Sequence, residues 1–118
     1  MSILILATAI NFNIISNIYK NLCDDISCIH ITDTQQLVNE MTTDDASLAI
    51  VAIDGAAGME TVFTIRNISE DIPIFWFSDD INFGPQAYRL NCTYFSAKPI
   101  SESNLIFGTK RLNVGNRG

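Results

Sequence analysis

The chain has 118 residues, enough for one domain and too few for two. Hydrophobic residues make up 47% and charged residues 17%, which excludes a disordered or fibrous chain and allows a core without disulfide or metal support. The net charge of −6 repels phosphate backbones and anionic lipid, so neither nucleic acid nor a membrane is an expected partner.

Ile3 to Leu6 is a continuous apolar run with no basic region before it, too short to cross a bilayer and broken at Asn11 and Asn13. It reads as a strand buried on both faces. Asn11 to Leu22 follows as a helix whose Ile14, Ile15, Ile18, Tyr19 and Leu22 are expected to face inward. Asp24 and Asp25 turn the chain into a second strand, Cys28 to Ile31. Thr32 or Asp33 caps a helix to about Met41, with Leu37, Val38 and Met41 inward. The acidic stretch 42–45 is a solvated loop, and Leu48 to Ile53 is the strongest strand pattern in the chain.

A third helix covers Ala56 to Ile68, with Met59, Val62, Phe63 and Ile65 inward. Ile72 to Phe77 is a fourth strand, with Pro73 near its start where a missing N–H is tolerated. Gly84 and Pro85 open a short helix to about Leu90. Thr93 to Ser96 is a fifth strand, and Ser101 or Ser103 caps a last helix to about Leu112. Residues 1–112 are thus one domain and 113–118 a tail or linker stub. Strand and helix alternate five times. The pattern predicts an α/β fold: a five-stranded parallel sheet, doubly wound as in flavodoxin-like (βα)5 domains, with strand order 2-1-3-4-5.

Ligands of such sheets bind at the carboxyl ends of the strands. There the sequence places Ala7 and Thr8 after the first strand, Asp54 after the third, Ser78 after the fourth, and Lys98-Pro99 after the fifth. Asp54 has two readings, a functional carboxylate or a turn residue ahead of Gly55. Asp79 and Asp80 read as a solvated loop with a helix cap, and a Lys98–Asp54 ion pair as structural. His30, between Ile29 and Ile31, reads as a packed or edge histidine, and Trp76 as core. Cys23, Cys28 and Cys92 have neither a disulfide framework nor a zinc-site spacing; they read as free thiols of a reducing compartment, and a cytoplasmic location is expected. No metal site is expected.

An aspartate, a small hydroxyl and a lysine in this order resemble the receiver (response-regulator, CheY-like) domain family of two-component signalling. The resemblance runs over about residues 2–112 and is anchored by Lys98-Pro99, with Ile72-Pro73-Ile74 similar to that family's fourth strand. It implies that Asp54 stands at the phosphoacceptor position, that Ser78 and Lys98 stand where phosphoryl oxygens are bound, and that Phe95 stands at the aromatic switch position. It also implies that the fourth helix, fifth strand and fifth helix form a partner surface, here presenting Tyr88, Arg89 and Tyr94.

The departures set the functional expectation. The family carries an acidic pair after the first strand to hold magnesium, and here those positions are Ala7 and Thr8. The stretch after Asp54 also enters its helix several residues early. The expectation is a degenerate member: a non-catalytic pseudo-receiver, not an enzyme, with no cofactor. It would serve as a protein–protein interaction, dimerisation or regulatory module in bacterial signal transduction or transcription control. Its expected partner is a protein, a second copy or further domains of a longer regulator. One alternative is a working phosphoacceptor, charged at Asp54 by a histidine kinase with Asp79 or Asp80 replacing the missing acids. Another is a flavodoxin-like domain that stacks a nucleotide or flavin on Trp76 and Tyr94, although Gly55 and Gly58 do not form a phosphate-cradling loop.

Overall fold

A computed structural model describes residues 2–43 and 46–115. The strands are β1 (Ser2–Ala7), β2 (Ser27–Ile31), β3 (Ala46–Ala52), β4 (Ile74–Ser78) and β5 (Tyr94–Ala97). The helices are α1 (Ala9–Leu22), α2 (Thr34–Met41), α3 (Gly55–Ile68), α4 (Gly84–Arg89) and α5 (Glu102–Gly115), with a 3-10 turn at Ile81–Phe83 before α4. All strand pairs are parallel, and the sheet order is β2-β1-β3-β4-β5, as the sequence pattern predicts. Helix α5 continues past Leu112 to Gly115, so the expected stub begins inside a helix. Of the acidic stretch 42–45, Asp44 and Asp45 lie outside the described residues.

Both faces of the sheet are covered, which explains the unbroken apolar runs. On β1, β3 and β4, alternate residues enter opposite layers. Ile3, Ile5, Leu48, Ile50, Phe75 and Phe77 pack with Ile15, Tyr19 and Leu105 of α1 and α5. Leu4, Leu6, Ala49, Val51, Ile74 and Trp76 pack with Leu37, Val62, Ile65 and Ala87 of α2, α3 and α4. The Tyr19 hydroxyl lies 3.1 Å from Thr109 Oγ1 and joins α1 to α5.

Three side chains expected inside are exposed: Ile14, Leu22 and Phe63. The buried side of α1 is a narrow strip of Ile15, Ser16 and Tyr19. Ile14 precedes that strip by one residue, about 100° around the helix, and leaves the sheet. In α3 the buried line is Gly58, Val62 and Ile65, and Phe63 is turned off it in the same way.

Gly58 is in that line because nothing larger fits. A Cβ there would collide with the Ile53 carbonyl oxygen and stand 3.3 Å from Trp76 Nε1. Arg66 pins the opposite end of α3. Its guanidinium donates to the carbonyls of Leu90 at 2.8 Å, Glu70 and Ile72 at 2.9 Å, Ser69 at 3.2 Å and Asn91 at 3.4 Å. These bonds close the turn after α4, where Asn91 takes a left-handed conformation at φ 58°.

Candidate functional site

The carboxyl edge of the sheet brings Asp54, Ser78 and Lys98 together, as the sequence order implies. Lys98 follows β5, and its backbone N–H donates to the Ser78 carbonyl at 2.8 Å, which locks its start beside β4. Its side chain then reaches over β4 to β3, where Nζ lies 2.7 Å from Asp54 Oδ1 and 3.3 Å from the Ala52 carbonyl. The Lys98 side chain is 21% exposed and that of Asp54 57%. One ammonium therefore serves one carboxylate and one carbonyl, and the carboxylate keeps a face open to solvent.

Asp54 occupies the N-cap position of α3 without capping it by its side chain. Gly55, at φ +67°, turns the chain into the helix in a conformation that L side chains rarely adopt. The Gly55 N–H donates instead to Asp79 Oδ1 at 2.9 Å. The carboxylate from the β4 loop thus meets an otherwise orphaned donor at the positive end of α3. Sequence reading left Asp79 in solvent. Its place directly after β4 is the signal that could have brought it to this edge. Asp80 caps the 3-10 turn by accepting from the Asn82 N–H at 2.9 Å, in line with its expected capping role. The Ser78 hydroxyl is buried; it accepts from the Asp80 N–H at 3.1 Å and lies 3.4 Å from Asp79 Oδ1.

At the end of β1, Ala7 and Thr8 are both engaged. The Ala7 carbonyl accepts from His30 Nε2 at 2.7 Å, while the His30 ring stacks on Phe12 at 4.5 Å. Thr8 is the N-cap of α1, and its Oγ1 accepts from the Asn11 N–H at 3.3 Å. Among the described residues, no three His, Cys, Asp or Glu side chains gather as they would around a metal ion.

Phe95 is half-buried and meets Trp76 edge-on at 5.1 Å. The proposed surface residues divide between two grooves. Tyr88 is 88% exposed and shares a groove of about 390 Å³ with Tyr94, Phe107 and Arg111, between α4, β5 and α5. Tyr94 also packs edge-on against Phe75 and Phe77, so its ring is partly core. Arg89 lines a separate groove of about 510 Å³ between α3 and α4. Cys28 and Cys92 are half-buried, and burial pushes both thiols up, Cys92 to about 12. Cys23 is exposed.

No protein-family model and no curated protein matches the chain. Solved structures do. The N-terminal signal receiver domain of a two-component response regulator from Bacteroides fragilis matches with a TM-score of 0.78 at 14% identity, over 94% of this chain and 95% of that one. The chemotaxis protein CheY4 of Vibrio cholerae matches with a TM-score of 0.76 at 13% identity, over 94% and 97%. NtrX of Brucella abortus, solved in complex with ADP, matches with a TM-score of 0.77 at 16% identity, over 94% of this chain and 26% of that longer one. No helix among the described residues is long and apolar enough to cross a membrane. The chain has the fold of two-component response-regulator receiver domains.

Proposed function

We propose that the chain is a pseudo-receiver: a receiver-fold module of a signalling or transcription-control system that works by binding proteins and does no phosphoryl chemistry. The observation that carries this reading is the end of β1. Ala7 brings a methyl group and a carbonyl already bonded to His30, and Thr8 spends its hydroxyl on the α1 cap. Magnesium requires near-ideal octahedral coordination by oxygens, typically from carboxylates or phosphate, and these two residues do not fit it. Charge developing on a transferring phosphoryl group would lose its main stabiliser. The Lys98 ammonium at this edge is already matched by Asp54. Function then rests on surfaces, and the groove of Tyr88, Tyr94 and Phe107 offers the aromatic types that anchor interfaces. A cytoplasmic location and a place beside further domains of a longer regulator belong to this same proposal.

Backbone amide shifts of labelled protein test it, titrated first with magnesium and then with beryllofluoride, a phosphoryl mimic. The expected result is no saturable shift at Asp54, Ser78 or Lys98 up to millimolar magnesium. Saturable shifts at all three would overturn the reading. They would favour the second one, a working acceptor, which the open face of Asp54 and the nearby Asp79 carboxylate support.

A further inference from the structure

The groove between α3 and α4, at about 510 Å³, is larger than the one between α4, β5 and α5, and the function just proposed does not use it. Its floor and walls include Met59, Phe63 and Leu90, with Glu60 on the α3 side and Gln86 and Arg89 on the α4 side. Phe63 stands 55% exposed at its edge, a large ring that the core does not take. The patch therefore carries both an apolar projection and an apolar recess. Its two charges are unspent, since neither Glu60 nor Arg89 makes an ion pair among the described residues. Gln86 adds a buried Oε1 with no hydrogen-bond partner within the described chain.

These features are complementary to themselves. In a two-fold arrangement each residue i meets j of the partner while j meets i. An anion on one wall and a cation on the other then pair twice. We propose that two copies of this chain associate through the α3–α4 groove. Each copy seats Phe63 in the partner's recess and sets its Glu60 against the partner's Arg89. The proposal deepens the reading of the chain as a binding module by naming a second copy as one partner. It does not depend on whether Asp54 takes a phosphoryl group. A stable interface buries on the order of 800 Å² per partner, and this groove with its rim is a small one, so the dimer is a weak one. The net charge of −6 on each copy also opposes association, and physiological salt confines that repulsion to within about 8 Å.

Sedimentation velocity of the full chain at physiological salt, from micromolar to millimolar concentration, decides the matter. Wild type is expected to pass from monomer to dimer. Phe63→Glu should weaken the dimer by about tenfold or more while keeping the wild-type circular dichroism, because the ring is outside the core. Glu60→Arg and Arg89→Glu alone should each weaken it, and the two together should restore it to within about threefold. A wild type that stays monomeric throughout would overturn the proposal, as would a dimer indifferent to Phe63→Glu. If the monomer instead shows amide shifts at Met59, Phe63 and Leu90 on adding a basic amphipathic peptide, the groove takes a foreign helix and the second copy is wrong. A negative result here leaves the beryllofluoride outcome untouched, so the two readings fail separately.

Discussion

Arg66 and Asp54 both hold charges, and their substitutions should differ in cost. Asp54 is more than half exposed, so water already screens its bond to Lys98. Asp54→Asn is expected to cost less than about 1 kcal/mol in urea unfolding. Arg66 satisfies five carbonyls from two loop segments at once. Arg66→Ala removes charge-assisted bonds and leaves part-buried acceptors unmatched, for an expected loss of about 3 kcal/mol. Equal midpoint shifts for the two variants would contradict this ranking.

Half-buried thiols and a buried phenol also make stability depend on alkaline pH. Burial raises the pKa of Tyr19 and Cys28, and that of Cys92 from 9.0 to about 12. The unfolded chain loses these protons first, so between 9.0 and about 12 it binds fewer protons than the folded one. Stability is then full below pH 9.0 and falls as pH rises through that window. Urea midpoints measured on either side of pH 9.0 should show the fall, and Cys92→Ala should reduce it. At neutral pH a thiol reagent should label exposed Cys23 well before Cys92.

Among the elements, α3 depends most on a single small residue. Gly58→Ala sets a methyl group against the Ile53 carbonyl, and the helix must lift from the end of β3 to admit it. The expected cost is about 2–3 kcal/mol. Gly84→Ala is the control. Its Cβ would stand 3.9 Å from Phe95, an ordinary contact, and its backbone is already helical. Pro85 crowds a Cβ on the helical residue before it, so a small cost is expected, well below that of Gly58→Ala. Thermal unfolding of the pair would separate steric need from helix propensity.

The elements themselves were readable from the residues because strands covered on both faces leave runs such as Ile3–Leu6 and Leu48–Ala52 that no half-exposed strand would show. Helix faces were less readable. In α1 and α3, apolar residues lie around more than half the helix, and periodicity alone cannot tell which side meets the sheet. Ile14 and Phe63 went to the wrong side for that reason. At the site, the order of Asp54, Ser78 and Lys98 along the chain was enough to bring them together. The Asp79 bond to Gly55 was not readable, because it depends on the direction in which one loop side chain leaves β4.

At the scale of the whole molecule, Trp76 reports on integrity. It is the single tryptophan, has no exposed surface, and lies between Phe83 and Phe95. β4 joins both apolar layers, with Trp76 in one and Phe75 and Phe77 in the other. A core so connected is expected to unfold as one unit. Tryptophan emission and far-ultraviolet circular dichroism should therefore give the same denaturant midpoint. Separate midpoints would mean that the layer under α2, α3 and α4 melts apart from the rest.

The carboxylate of Asp79 on the Gly55 amide has one more consequence. That amide is a donor at a helix start, the kind of group that would attract an anion from solution. The anion already there is covalently part of the chain. Its effective concentration at the amide is on the order of millimolar or more, as for any short tether. A dissolved anion has to outcompete a rival that cannot diffuse away. Phosphate or any other dissolved anion that reaches this helix start therefore meets a donor that a tethered carboxylate already serves.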